Sequence, residues 1–299
     1  MLTDLLTPEF NGAASAGLLT LLSPKDLAQA IGTSESSMKR WIDAGKIEAV
    51  RTHGGHRRIT MAEALQFIRR ENYKILDPRP LGLLPLVQDQ RPLSERLHEL
   101  LTGPDPMRAR SLLVSAFTAG TPIHALGDGP IREAMSRIGM LWQHGESGIS
   151  IEHHATDACL LALQTIRLML PEPPPSAPVA VGGAPSRDPY QMPSLLVAAG
   201  LHEAGFRTFN LGADSPLAAI KNSVERYRAR IAWISISTQD ALSGLRQGIY
   251  KLTDDLRTQD VRVLVGGRLV DALGLEPRQN LLIAHSMGEA VGMAKKILG

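Results

Sequence analysis

The chain has 299 residues, a hydrophobic fraction of 43% and a net charge of +2. That length predicts two or three domains with real cores, and the small net charge alone does not point to a nucleic-acid partner. Its single cysteine, Cys159, excludes an intrachain disulfide and suits a reducing, cytoplasmic setting, while neither a secretory signal nor an apolar run of about 18 residues for a membrane span is visible.

Residues 1–20 lack a pattern and are expected to form a flexible tail. At Ser23 a capping box begins: Ser23 as cap, Pro24 in the first turn and Asp26 three residues on. Leu27, Ala30 and Ile31 form the apolar face of a short helix that Gly32 ends, and Ser34 caps a second helix closed near Gly45. Residues 46–59 then alternate like strands, with Ile47 and Val50 expected on one face. The run His53-Gly54-Gly55-His56 supplies a hairpin turn. A third helix is expected over 61–72.

Two short helices and a wing define a winged helix-turn-helix over 21–78. That segment carries ten Lys/Arg against seven Asp/Glu, a net of +3. Ser36, Ser37, Lys39 and Arg40 lie on the exposed face of the second helix, and Arg51, His56, Arg57 and Arg58 on the wing. Those basic tips are candidates to meet phosphates, and the serines and Lys39 to reach base edges.

Four prolines, Pro78, Pro80, Pro85 and Pro92, predict a semi-rigid linker over 79–92. Residues 93–172 show helix after helix. Breaks are expected at Gly127-Asp128-Gly129-Pro130 and around Gly145 and Gly148, with the last helix running from Glu152. The corner between the last two helices presents Trp142, then nine residues, then Glu152 and His153.

Past a Pro-rich joint at 171–178, strands and helices alternate to the end of the chain. This predicts a doubly wound parallel sheet over 179–299, with ligands at the carboxyl ends of its strands. Those ends carry Gly182-Gly183, Gly212-Ala213-Asp214-Ser215, Ser235-Ile236-Ser237-Thr238 and Gly266-Gly267. Gly182-Gly183-Ala184-Pro185 lacks dinucleotide spacing, which argues against a nicotinamide or flavin enzyme. No catalytic or metal-ligating set is assigned.

The segments around Ser23-Pro24-Lys25-Asp26, Lys39-Arg40-Trp41 and Gly54-Gly55-His56-Arg57-Arg58-Ile59 resemble MerR-type DNA-binding modules. The resemblance implies specific binding of double-stranded operator DNA by a dimer or larger oligomer. The Trp, nine residues, Glu-His arrangement ahead of an α/β domain resembles the cobalamin-binding pair of domains. Together they are similar to the CarH/LitR light-responsive repressors, whose chromophore is adenosylcobalamin.

By that resemblance Trp142, Glu152 and His153 cap the upper face of the ligand, and Ser235, Gly266 and Gly267 hold its nucleotide tail. The lower cobalt ligand in that family is a His two residues after an Asp. Here Asp188 is followed by Tyr190, Pro193 stands where a Gly is usual, Ser237 replaces a Leu, and Gln143 follows the capping Trp. A neutral tyrosine is a poor substitute for imidazole. Cobalamin with its own base retained, another flat tetrapyrrole-like ligand, or no ligand all remain open.

Three functions follow: a cofactor-sensing, light-responsive repressor that works through ligand-dependent oligomerisation, the same repressor with a C-terminal half that serves self-association or an antirepressor protein, and, more remotely, a corrinoid methyl carrier. The N-terminal module argues against an enzyme.

Overall fold

The computed structural model describes residues 21–84, 91–141 and 146–298. The expected tail at 1–20 lies outside them, as do Trp142, Gln143, His144 and Gly145. Among the described residues no helix is long and apolar enough to cross a membrane.

The first module consists of β1 (Leu21–Leu22), α1 (Pro24–Ile31), α2 (Glu35–Asp43), β2 (Val50–Arg51), β3 (Arg57–Thr60) and α3 (Met61–Arg70). Its local chemistry follows the sequence closely. Ser23 and Asp26 form a reciprocal capping box, Gly32 ends α1 in the left-handed region, and Ser34 and Thr60 cap α2 and α3. β3 pairs antiparallel with β2 and, on its other side, with β1. The wing turn closes through Gly55 N–H donating to Thr52 O at 2.8 Å, with Gly55 at φ 76°. One expectation fails here. Ile47 is 1% exposed but Val50 is 52% exposed, because only Val50–Arg51 is extended and the chain before it does not continue the alternation.

Residues 79–84 do not stand off as a linker. Arg79–Leu81 makes a 3-10 turn, and Leu81 and Leu83 are buried in the core. The expected linker's residues 85–90 lie outside the described part.

Next come α4 (Leu93–Thr102), α5 (Arg108–Thr118), α6 (Ile123–Leu126), α7 (Arg132–Leu141) and α8 (Glu146–Leu168). The Gly127-Asp128-Gly129-Pro130 stretch is not a break: it is a π-helical turn, Gly127–Ile131, that joins α6 to α7. The missing N–H of Pro130 is tolerated where the wider turn already shifts the hydrogen-bond ladder. The last helix also begins earlier than expected, at Glu146 rather than Glu152, and Gly148 is helical and buried. Tertiary burial of α8 overrides the weak helix propensity of glycine there.

The C-terminal domain comprises β4 (Val179–Gly183), α9 (Gln191–Glu203), β5 (Arg207–Asn210), α10 (Leu217–Tyr227), β6 (Ile231–Ser235), α11 (Leu245–Leu256), β7 (Arg262–Gly266), β8 (Leu281–Ala284) and α12 (Met287–Leu298). The five strands are all parallel in the order β5-β4-β6-β7-β8, a Rossmann-like sheet flanked by helices as expected. Every residue of β4 and β6 is buried, which is why these strands are nearly continuous apolar runs. The order reverses between β4 and β6, so the crevice between their carboxyl ends is the place for a ligand.

One apolar core runs unbroken from the first module through the helical bundle to Leu195, Leu196 and Ala199 of α9. The head is therefore packed on the body, not tethered beside it.

Candidate functional site

Two surfaces carry the chemistry. The first is the outer face of the head. Ser36, Lys39, Arg40, Arg51 and His56 are exposed, while Ser37, Arg57 and Arg58 are half-buried. Ser37 bonds back to the cap: its N–H donates to Ser34 Oγ at 3.1 Å, and Ser34 Oγ donates to its hydroxyl at 3.0 Å. Lys39 pairs with Glu35 along α2 at 2.7 Å, an exposed pair that DNA phosphates can displace at little cost. Arg57 Nη2 lies 2.6 Å from Asp43 Oδ1, which ties the wing to the end of α2 and places both on one face. Arg58 donates to Arg57 O at 3.3 Å.

The opposite face of the head is fastened down through α3. Gln66 donates to Leu168 O at 2.7 Å, at the end of α8. Arg69 donates to Glu203 Oε1 at 2.7 Å and to Phe117 O at 3.3 Å, and its guanidinium lies 3.8 Å over the Phe117 ring. The other oxygen of Glu203 accepts from Ile123 N–H at 2.9 Å, at the start of α6. Glu203 thus joins head, bundle and α/β domain through one carboxylate. Asp128, in the π-turn, makes a similar tie: its two oxygens accept from Met287 N–H at 2.7 Å and Gly288 N–H at 2.8 Å, capping α12. Sequence patterning gave no sign of either carboxylate's partner, since the partners lie 80 to 160 residues away.

The second surface is the crevice at the carboxyl ends of β4 and β6. Asp188 is fully buried there. Burial pushes its carboxyl above the usual range, opposed by backbone N–H groups of Ser237, Tyr190 and Thr238 and by the charge of Arg268. Ser237 N–H donates to Oδ2 at 2.6 Å and Tyr190 N–H to Oδ1 at 3.2 Å. Oδ2 closes the loop onto the turn after β6, while Oδ1 holds the loop's own turn into α9. Arg268 reinforces that closure by donating to Ser237 O at 2.7 Å. Tyr190 is the cap residue of α9 and is 41% exposed. Ser235 and Ser237 are buried, and Ser237 Oγ has no hydrogen-bond partner among the described residues.

Gly267 has φ 107°, and a Cβ there would lie 2.3 Å from Ile236 O; at Gly266 it would lie 2.9 Å from Ala284 O. Close packing of the turns accounts for both glycines. Below the crevice, Trp233 is 1% exposed, and its indole N–H donates to Ser194 Oγ at 3.0 Å.

The capping set is not assembled over this crevice by any polar contact among the described residues. Glu152 accepts from Thr156 Oγ1 at 3.0 Å within α8 and lies 3.7 Å from His153, whose side chain is 69% exposed. Trp142, the third member, lies outside the described residues. Among the described residues no group of three or more His, Cys, Asp or Glu could hold a metal ion.

The chain sets a helix-turn-helix head on a helical bundle and a Rossmann-like α/β domain. Residues 21–72 match the family described as a helix-turn-helix domain. The body is similar to dimethylamine corrinoid protein 1 of Methanosarcina acetivorans, 27% identical over 169 residues that span 55% of this chain and 78% of the relative. Dimethylamine corrinoid protein 3 of the same organism is 23% identical over 205 residues, 68% of this chain and 96% of the relative. The solved structure of the Methanosarcina barkeri monomethylamine corrinoid protein superposes with a TM-score of 0.54 at 16% identity, covering 69% of this chain and 98% of that one, and supports the fold.

The residues present do not fit a corrinoid gripped from below by an imidazole. Tyr190 stands at the loop position that the resemblance gives to that imidazole, and a neutral phenol is a poor substitute for it.

Proposed function

We propose that this chain is a DNA-binding transcriptional regulator of MerR type, a repressor whose body sets the position of the DNA-binding head and brings two or more heads together. The observation that carries this is the docking of α3. Arg69 and Gln66 bolt the back of the head to the body, and α2 and the wing are left facing outward. A methyl carrier has no use for such a head, and we do not assign an enzymatic activity. One small helix-turn-helix buries too little DNA surface for tight specific binding, so paired heads are expected.

The test is selection from a random pool of double-stranded DNA with the full chain, followed by mobility shift. The expected result is enrichment of a two-fold repeated site bound by a dimer or larger species, with Lys39→Ala and Arg40→Ala each weakening binding. Recovery of unenriched, salt-sensitive binding alone would overturn the assignment.

A second reading is favoured by the names of the relatives and the unpartnered Ser237 hydroxyl. In it, a corrinoid with its own base retained lies across the crevice mouth, and light acts through it. An absorption spectrum of protein mixed with adenosylcobalamin in the dark, after gel filtration, separates the two readings.

A further inference from the structure

The layer between the sheet and helices α9 and α12 mixes small side chains, Ala180, Ala198, Ala284, Ala290 and Ala294, with larger ones, Leu201, Phe206, Ile231 and Leu264, all buried. Its largest group is the indole of Trp233, the bulkiest fully buried side chain among the described residues. The neighbouring strand makes room for it. Gly182 stands in register with Trp233, and a Cβ on Gly182 would lie 2.3 Å from the indole Cδ2 and 2.4 Å from Cγ.

The indole is also wired to the crevice. Its N–H donates to Ser194 Oγ, Ser194 Oγ donates to Asn210 Oδ1 at 2.7 Å, and Asn210 Oδ1 accepts from Gly212 N–H at 3.1 Å in the turn after β5. Trp233 lies two residues before Ser235, the last residue of β6. That places it roughly 7 Å below the crevice at about 3.3 Å per residue.

We infer that Trp233 is an internal plug. It occupies a flat slot, opening on the crevice, that is shaped for a fused six- and five-membered ring, so the chain supplies for itself the group that the benzimidazole base of a corrinoid's nucleotide arm would otherwise be. This deepens the proposed function and rests on its account of the body as corrinoid-type. Trp233 and Tyr190 together make this body independent of an inserted corrinoid: one fills the slot for the arm, the other removes the ligand for the metal.

The test uses full-length Trp233→Gly and Trp233→Leu. An apolar cavity of this kind takes up small aromatic molecules. Free indole or benzimidazole, at millimolar concentration, should raise the melting temperature of Trp233→Gly and leave wild type unchanged. Trp233→Leu, with a smaller void, should respond less. If Trp233→Gly is recovered folded only when indole is present during refolding, that also supports the plug.

Adenosylcobalamin titrated in the dark should give no base-displaced spectrum with wild type. With Trp233→Gly/Tyr190→His it should bind at least tenfold tighter than with Tyr190→His alone. Absence of any response of Trp233→Gly and Trp233→Leu to both bicycles would overturn the inference, as would base-displaced binding of cobalamin by wild type. Neither arm involves DNA, so a failure here is distinguishable from a failure of operator binding.

Discussion

Removing Glu203 should loosen the head from the body. Its carboxylate accepts two hydrogen bonds, from Arg69 Nη2 at 2.7 Å and from Ile123 N–H at 2.9 Å, and its side chain is 16% exposed against 31% for Arg69. Each charge-assisted bond removed is worth about 1.5–3 kcal/mol before solvent replaces it. The site is partly open, so water recovers some of that, and Glu203→Ala should cost about 2–3 kcal/mol in total.

Arg69→Ala removes the same pair together with the bond to Phe117 O and the stacking over the Phe117 ring. That stacking adds about 0.5–1 kcal/mol. The double variant should fall short of the sum of the singles by about 1 kcal/mol. Hydrogen exchange is the suitable assay, because a multidomain chain need not unfold in one step. Protection should drop in α3 and at the start of α6 while the sheet strands keep theirs. Additivity of the two substitutions within about 0.3–0.5 kcal/mol would show that the pair does not couple head to body.

Replacing Arg57 and Arg58 by Ala should lower affinity for every DNA sequence and reduce the salt slope by about one unit for each phosphate left without its arginine; an unchanged slope would mean that the wing stays off the phosphates. Asp128→Asn leaves one α12 N–H facing an amide group instead of a carboxylate oxygen, and urea unfolding should show a decrease in stability of about 1–2 kcal/mol. Cys159 is buried, which pushes its thiol up to about 12. The unfolded chain gives up that proton near pH 9 and the folded chain keeps it. Its contribution to stability is therefore intact below about pH 9 and falls by up to about 1.4 kcal/mol per pH unit between pH 9 and 12. Comparison with Cys159→Ala isolates this slope, and equal slopes for the two proteins would refute it.

Much of the fold was legible because its signals are local. Ser23, Asp26 and Gly32 announce α1 by cap chemistry alone, and the buried strands announce themselves by Val, Ile and Ala runs. Failures occurred where long-range burial overrode local preference, at Gly148 inside α8 and at Gly127–Pro130, which wind into a π-turn. The parallel sheet whose strand ends frame the crevice was legible from the alternation of strands and helices. The two ties at Asp128 and Glu203 were not, since neither carboxylate differs in sequence from a surface acid. Trp233 looked like one more apolar strand residue; its close approach to Gly182 and its bond to Ser194 distinguish it.

The crevice and the fastening of the head meet on α9. Tyr190 caps its first turn at the crevice, and Glu203 is its last residue and holds the head. Thirteen residues make a rod of about 20 Å, packed against Trp233 through Ser194 and short enough to move as one body. If α9 shifts as one body when a partner presses on the loop of Asp188 and Tyr190, Glu203 shifts with it and the fastening of the head changes. Coupling of this sort is reciprocal, so DNA held by the head would bias the crevice loop in turn. The bulky, exposed-site substitution Tyr190→Arg disturbs the loop without touching the core. It should change exchange protection of the α3 amides in an otherwise wild-type chain and leave them unaffected in the Glu203→Ala background, where the rod has lost its grip. Equal responses of α3 in both backgrounds would mean that α9 does not carry the signal.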